Sequence, residues 1–142
     1  GSITIAASAA DPTAGVATRT AGNVTTTSLT LVDLTDAAVT ITTAARRCLI
    51  TFTCETIQSG SFYNNFNLDV DGTLLFGTEG VRVNLTVAEG SRIVTLSSVT
   101  AVLTAASHTF KVRWSVSGGT GTVLAGAANN FRLSVVELGA TA

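Results

Sequence analysis

Apolar and polar residues alternate along most of this chain. In the stretch His108 to Val116 (HTFKVRWSV), Phe110, Val112, Trp114 and Val116 share one parity, and Thr109, Lys111, Arg113 and Ser115 share the other. A period of two is that of a β-strand with one buried and one wet face. Trp114, the only tryptophan, sits on the apolar parity, where a large ring fills a core. The run Phe131 to Leu138 (FRLSVVEL) alternates in the same way, with Phe131, Leu133 and Val135 inward. A glycine-rich segment separates the two runs, so they are expected to be antiparallel neighbours. The run CLITFTCET places Cys48, Ile50, Phe52 and Cys54 on one face. FYNNFNLDV places Phe62, Phe66, Leu68 and Val70 on its core parity, and Asp71-Gly72 then signals a tight hairpin returning through Leu74 to Phe76.

The remaining segments are shorter. Leu29, Leu31 and Val32 form a short strand that breaks at Asp33 to Ala37, and Val39 and Ile41 open the next. Val81, Val83, Leu85 and Val87 alternate with polar partners. In Arg92 to Thr100, Ile93 and Val99 fall on one parity and Val94 and Leu96 on the other, so both faces call for cover, as in an interface strand. Eight or more short strands, separated by turns every 8 to 12 residues or so, define an all-β sandwich or barrel. A double-sheet jelly roll of antiparallel strands hides its edges, and oligomerisation helps it do so. Residues 23–142 form this domain. Residues 1–22 are small, polar and poor in aromatics, and are expected to be an extended N-terminal arm. A neighbouring chain would hold the arm, contacting Ile3 and Ile5; the alternative is packing back along its own sandwich.

Composition sharpens this picture. The 142 residues suit one domain. Hydrophobic residues make up 46% and charged residues 12%, where about 25% charged is usual. No run approaches the ~18 apolar residues of a spanning helix, so a soluble protein without a membrane partner is expected. So uncharged a surface points to cover by partner subunits. The net charge is −1 and Lys111 is the only lysine, which argues against nucleic acid as a partner. Cys48 and Cys54 share a strand face about 20 Å apart, too far for a disulfide with each other, and read as small core hydrophobes, the alternative being a bridge between subunits. No secretory leader is visible, and Gly1-Ser2 reads as a tag remnant or as the start left by a removed initiator methionine.

The segments NVTTTSLTLVDLTDAAVTITT, RRCLITFTCE, LDVDGTLL, ASHTFKVRWSV and FRLSVVEL, in that order, resemble a small jelly-roll family of bacteriophage virion surface proteins. It includes fibre tips and capsid decoration proteins. It is similar in outline to the trimeric complement-head and tumour-necrosis-factor-like jelly rolls. The resemblance covers about residues 23 to 138, and its most specific piece is Ser107 to Trp114. It implies a homotrimer on the virion surface, made in the host cytoplasm, with the major capsid protein or another virion protein as partner. It brings no catalytic residues and no cofactor.

The residues themselves offer little chemistry. His108, the only histidine, adjoins Ser107, but strand neighbours face opposite ways, so it reads as structural. Asp69, Asp71 and Gly72 echo a calcium loop whose remaining ligands are missing. Asp33 and Asp36 read as turn formers. Gly118 to Thr122 lacks the lysine and helix of a phosphate loop and reads as a flexible connection. Asn23 and Asn84 open formal glycosylation sequons, taken as chance matches in a chain where about one residue in six is threonine. Tyr63, Asn64, Asn65 and Asn67 form a polar, partly aromatic patch suited to contact with a sugar or protein, or to the outer face of a strand. No carboxylate pair falls in a common cleft, which sets a glycosidase aside. The expected core comprises Phe52, Phe66, Phe110, Val112, Trp114, Phe131 and Leu133. The expected function is a trimeric capsid decoration protein without enzymatic activity. The alternative is a tail-fibre tip that meets its receptor through Ser59 to Asn65 and Gly118 to Asn130.

Overall fold

The computed structural model describes residues 13–139. Ile3 and Ile5 lie outside them. The described chain forms eleven strands: β1 (Ala14–Arg19), β2 (Val24–Thr26), β3 (Val32–Thr42), β4 (Cys48–Gln58), β5 (Phe62–Val70), β6 (Thr73–Leu74), β7 (Val81–Leu85), β8 (Arg92–Val99), β9 (Ser107–Val116), β10 (Gly121–Val123) and β11 (Phe131–Glu137). A single 3-10 turn, Val87–Glu89, precedes β8. Two antiparallel sheets pack face to face. Sheet A runs β1-β11-β4-β10-β2, with β8 on the other edge of β4. Sheet B runs β3-β9-β5-β6, with β7 also on β5. The chain passes between the sheets from β3 to β4 to β5 and again from β8 to β9 to β10, which makes the domain a jelly-roll sandwich.

The alternating residues meet between the sheets. Phe52 and Phe131 come from sheet A; Phe66, Phe110, Val112 and Trp114 come from sheet B; Leu133 joins them, and all are at most 1% exposed. The Phe66 ring stacks on Trp114 with centroids 5.8 Å apart, and Phe52 lies 6.0 Å from Phe66 and 6.3 Å from Phe131. Full burial of each such side chain stabilises by about 1.5–3 kcal/mol. Cys48 and Cys54 are free and buried in the same core.

Phe62, expected on the core side of β5, is instead exposed at the start of that strand, and four further expectations need correction. First, β9 and β11 are not neighbours. β9 lies in sheet B between β3 and β5, and β11 lies in sheet A between β1 and β4. Alternation identifies the buried face of a strand, not its partner, and 14 residues between the two leave room to cross the sandwich. Second, the glycine-rich segment is only partly a loop. Gly121–Val123 is β10, held between β4 and β2. Third, Asp33 to Ala37 does not end a strand. It is an irregularity inside β3, between the pairs Asp33↔Arg113 and Ala38↔Lys111. Asp36 has φ 64°, which lets the bulge turn Leu34 and Ala37 into the core.

Fourth, the sandwich begins before residue 23. Ala14–Arg19 pairs with β11 over six residues as an edge strand, so this part of the segment packs back along its own sandwich rather than onto a neighbouring chain. Gly15 explains its lack of bulk: a Cβ there would stand 2.5 Å from Val39 Cγ1, so β1 closes over β3 only with glycine at that place. The hairpin at Asp71-Gly72 has the geometry its sequence asks for. Asp69 pairs with Leu74 and Val70 with Thr73, and the two turn residues have φ 51° and 92°.

Candidate functional site

The outward face of sheet A stands out for what it lacks. The register lays Ala14, Val136, Leu49 and Val99 in one row across four strands. The next rows are Val16, Ser134, Thr51 and Ser97, then Thr18, Arg132, Thr53 and Thr95. Glu55 and Ile93 follow. Only Arg132 and Glu55 carry charge in these rows. Val16, Ile93, Val99 and Val136 are exposed, and Leu49 is half-buried. Glu55 is tied down at one end of the face, accepting hydrogen bonds from Ser91 Oγ and Asn129 Nδ2. What remains is a surface of valine, threonine and serine, with an apolar stripe along one end.

The sequence marks only two of these apolar residues. Ile93 and Val99 stand out because β8 is apolar on both parities, and Val94 and Leu96 take the inner one. Ala14, Leu49 and Val136 were missed. Their signal is the off-parity apolar residue: Leu49 follows Cys48, and Val136 follows Val135, each breaking the alternation of its strand.

The patch expected at Tyr63 to Asn65 divides between two environments. Asn64 lies between the sheets, fully buried. Its Nδ2 donates to Thr56 Oγ1 at 2.8 Å and Ile57 O at 3.2 Å, and its Oδ1 accepts from Gln58 Nε2 at 3.0 Å. It is an inter-sheet tie and no part of a surface patch: β5 is pinned to β4 where burial without partners would be costly. Tyr63 and Asn65 point out of the other face of sheet B. Tyr63 is half-buried, with the Arg82 guanidinium over its ring at 4.5 Å.

His108 caps one end of the core, almost wholly buried. Its Nδ1 lies 2.5 Å from Asp71 Oδ2 and its Nε2 2.8 Å from Thr104 O. Both ring nitrogens face acceptors, so the doubly protonated ring satisfies both. The Asp71 contact, then the Thr104 carbonyl, raises the His108 pKa above its ordinary 6.5. Asp71 is held below its ordinary 3.8, first by the Thr109 N–H donating to Oδ1 at 2.8 Å and then by His108. Ser107 is on the opposite strand face, and the carboxylate is engaged on both oxygens, so the pair ties the β5–β6 turn to β9. Burial pushes the Cys54 thiol up to about 12, with Glu55 adding to it, and raises Cys48 as well. Thiols held protonated in a core are poor nucleophiles. Asp33 pairs with Lys111 at 3.0 Å and Asp36 with Arg19 at 2.5 Å. Among the described residues no group of three or more His, Cys, Asp or Glu side chains is arranged to hold a metal ion.

Fold and surface thus define a jelly-roll domain with an unusually uncharged outer sheet. No family model matches the sequence, and no curated protein matches it. Solved structures share the fold. A structure of infectious bursal disease virus, Gx strain, is similar over 94% of this chain, with 15% identity and a TM-score of 0.50. This chain spans only 38% of that viral chain. The Eiger TNF of S. frugiperda is similar over 93% of this chain and 96% of its own, with 10% identity and a TM-score of 0.47. At 15% identity the likeness to the viral chain speaks for the fold alone.

Proposed function

We propose that this chain is a non-enzymatic structural protein of a bacteriophage virion. It assembles as a homotrimer and decorates the outer capsid shell. The observation that carries the reading is the outer face of sheet A. A row of apolar side chains on a nearly uncharged surface is what a protein interface core requires, since charged residues are depleted there. A second copy fits because the face carries few charges, so an uncharged surface of a neighbour can cover it without stranding one. Three-fold closure would use this face on one subunit and the β8 edge of the next, a head-to-tail contact that closes into a ring. The resemblance to phage virion surface proteins supports the placement. So does a fold shared with a chain of a virus structure.

A second reading is a receptor-binding fibre tip. It is favoured by the joining of the two loops it would use. Ser59 N donates to Thr120 O at 3.0 Å, and Thr120 N donates to Ser59 Oγ at 2.8 Å. One experiment separates the readings. The purified chain is mixed with empty shells of the phage that encodes it, and the shells are pelleted. Decoration predicts saturable co-sedimentation and shells that resist heat better. An absence of shell binding together with adsorption to host cells would overturn it in favour of the tip.

A further inference from the structure

The outer face of sheet B, opposite the proposed assembly face, holds an open groove of about 640 Å³. That volume is in the range of about 300–1,000 Å³ usual for small-ligand sites. Its floor is formed by β5 and β9, where Asn65 registers with Ser115. Leu29 and Leu31 line one side, and Glu79 and Arg82 line the other.

One observation points to a ligand. Asn65 is only 6% exposed, and its Nδ2 donates to Ser115 Oγ at 3.1 Å, but its Oδ1 has no hydrogen-bond partner. Buried side-chain acceptors are rarely left so. Arg113 Nε is also without a hydrogen bond; it lies 3.4 Å from Asp33 Oδ1, out of line for one. Both residues line the groove.

The electrostatics narrow the ligand. Arg82 is paired with Glu79 and laid over Tyr63. Arg113 has Asp33 and, at 3.9 Å, Asp69 beside it, and its Nη2 donates to Leu31 O at 3.0 Å. The cations are already compensated, so the groove offers oriented donors and acceptors rather than net positive charge. We infer that it binds a neutral oligosaccharide. Sugar hydroxyls both donate and accept. They can donate to Glu79, accept from the two guanidinium groups and reach the Asn65 amide once it turns toward the groove, its Oδ1 being closed to solvent as it stands, while the C–H faces lie on Leu29 and Leu31. The groove stays open if sheet A is covered by other subunits, so this inference does not depend on the assembly.

The test is saturation-transfer NMR on the whole chain with four probes: maltohexaose, cellohexaose, chitohexaose and, for contrast, oligogalacturonate. The inference expects transfer from at least one neutral probe at millimolar concentration. It also expects Arg82→Ala, at an exposed position that leaves the fold intact, to weaken that binding about tenfold. Asn65→Ala should do the same, with its folding checked by circular dichroism. No transfer from any neutral probe at about 5 mM would overturn the inference. So would binding unchanged in both variants, or binding confined to oligogalacturonate.

Discussion

Replacing Asn64 with alanine should destabilise the domain without altering its surface. Asn64 makes three hydrogen bonds between the sheets, to Thr56, Ile57 and Gln58. At about 0.5–1.5 kcal/mol net for each, their loss costs about 2–4 kcal/mol. Of the stranded groups, Gln58 Nε2 keeps Gly118 O at 3.0 Å and Thr56 Oγ1 keeps Thr122 O at 2.6 Å, so the penalty should not exceed that range by much. Domains of this size are stable by about 5–15 kcal/mol, so the variant folds but is weakened. With a urea dependence of about 2 kcal/mol per molar, the unfolding midpoint should fall by about 1–2 M. The assay is urea denaturation followed by Trp114 fluorescence, at fixed protomer concentration because association adds stability. A midpoint within about 0.2 M of the parent would refute the claim that this buried polar tie holds the sheets together.

Two further predictions concern titratable groups. The His108 contribution is fully present below pH 6.5 and fades as pH rises through the raised pKa of the folded state; the Asp71 contribution is present above pH 3.8 and fades as pH falls through its lowered pKa. Stability should therefore be greatest between these limits and decline toward alkaline pH, and Asp71→Asn should flatten that alkaline decline; NMR titration of the imidazole and melting against pH check both. Cys48 and Cys54, buried and with raised pKa values, should resist a thiol reagent in the native protein at pH 8 and both react in urea; labelling of either without denaturant would place it outside the core.

How much was legible in the sequence depended on the range of the interaction involved. The Asp71-Gly72 hairpin was readable because its turn chemistry is local. The buried parity of β9 was readable because alternation is a property of one strand. The placement of β9 and β11 in different sheets was not, since neither run encodes its partner. Ala14–Arg19 looked like an arm because its residues are small, yet Gly15 is small so that β1 can approach Val39. Asn64 looked like surface because it is polar, and its hydrogen-bond partners come from the other sheet. On the outer face of sheet A, Ile93 and Val99 were legible from the two-sided pattern of β8. Ala14, Leu49 and Val136 became a row only when the register set them side by side.

The central claim is that the outer face of sheet A joins copies of this chain. Light scattering over a falling concentration series tests it most directly, comparing the parent with Val136→Glu, a change at an exposed position. The parent should have three times the 14.4 kDa chain mass and the variant should be a well-folded monomer. A parent that is monomeric at every concentration, or a trimer indifferent to the buried charge, would contradict it.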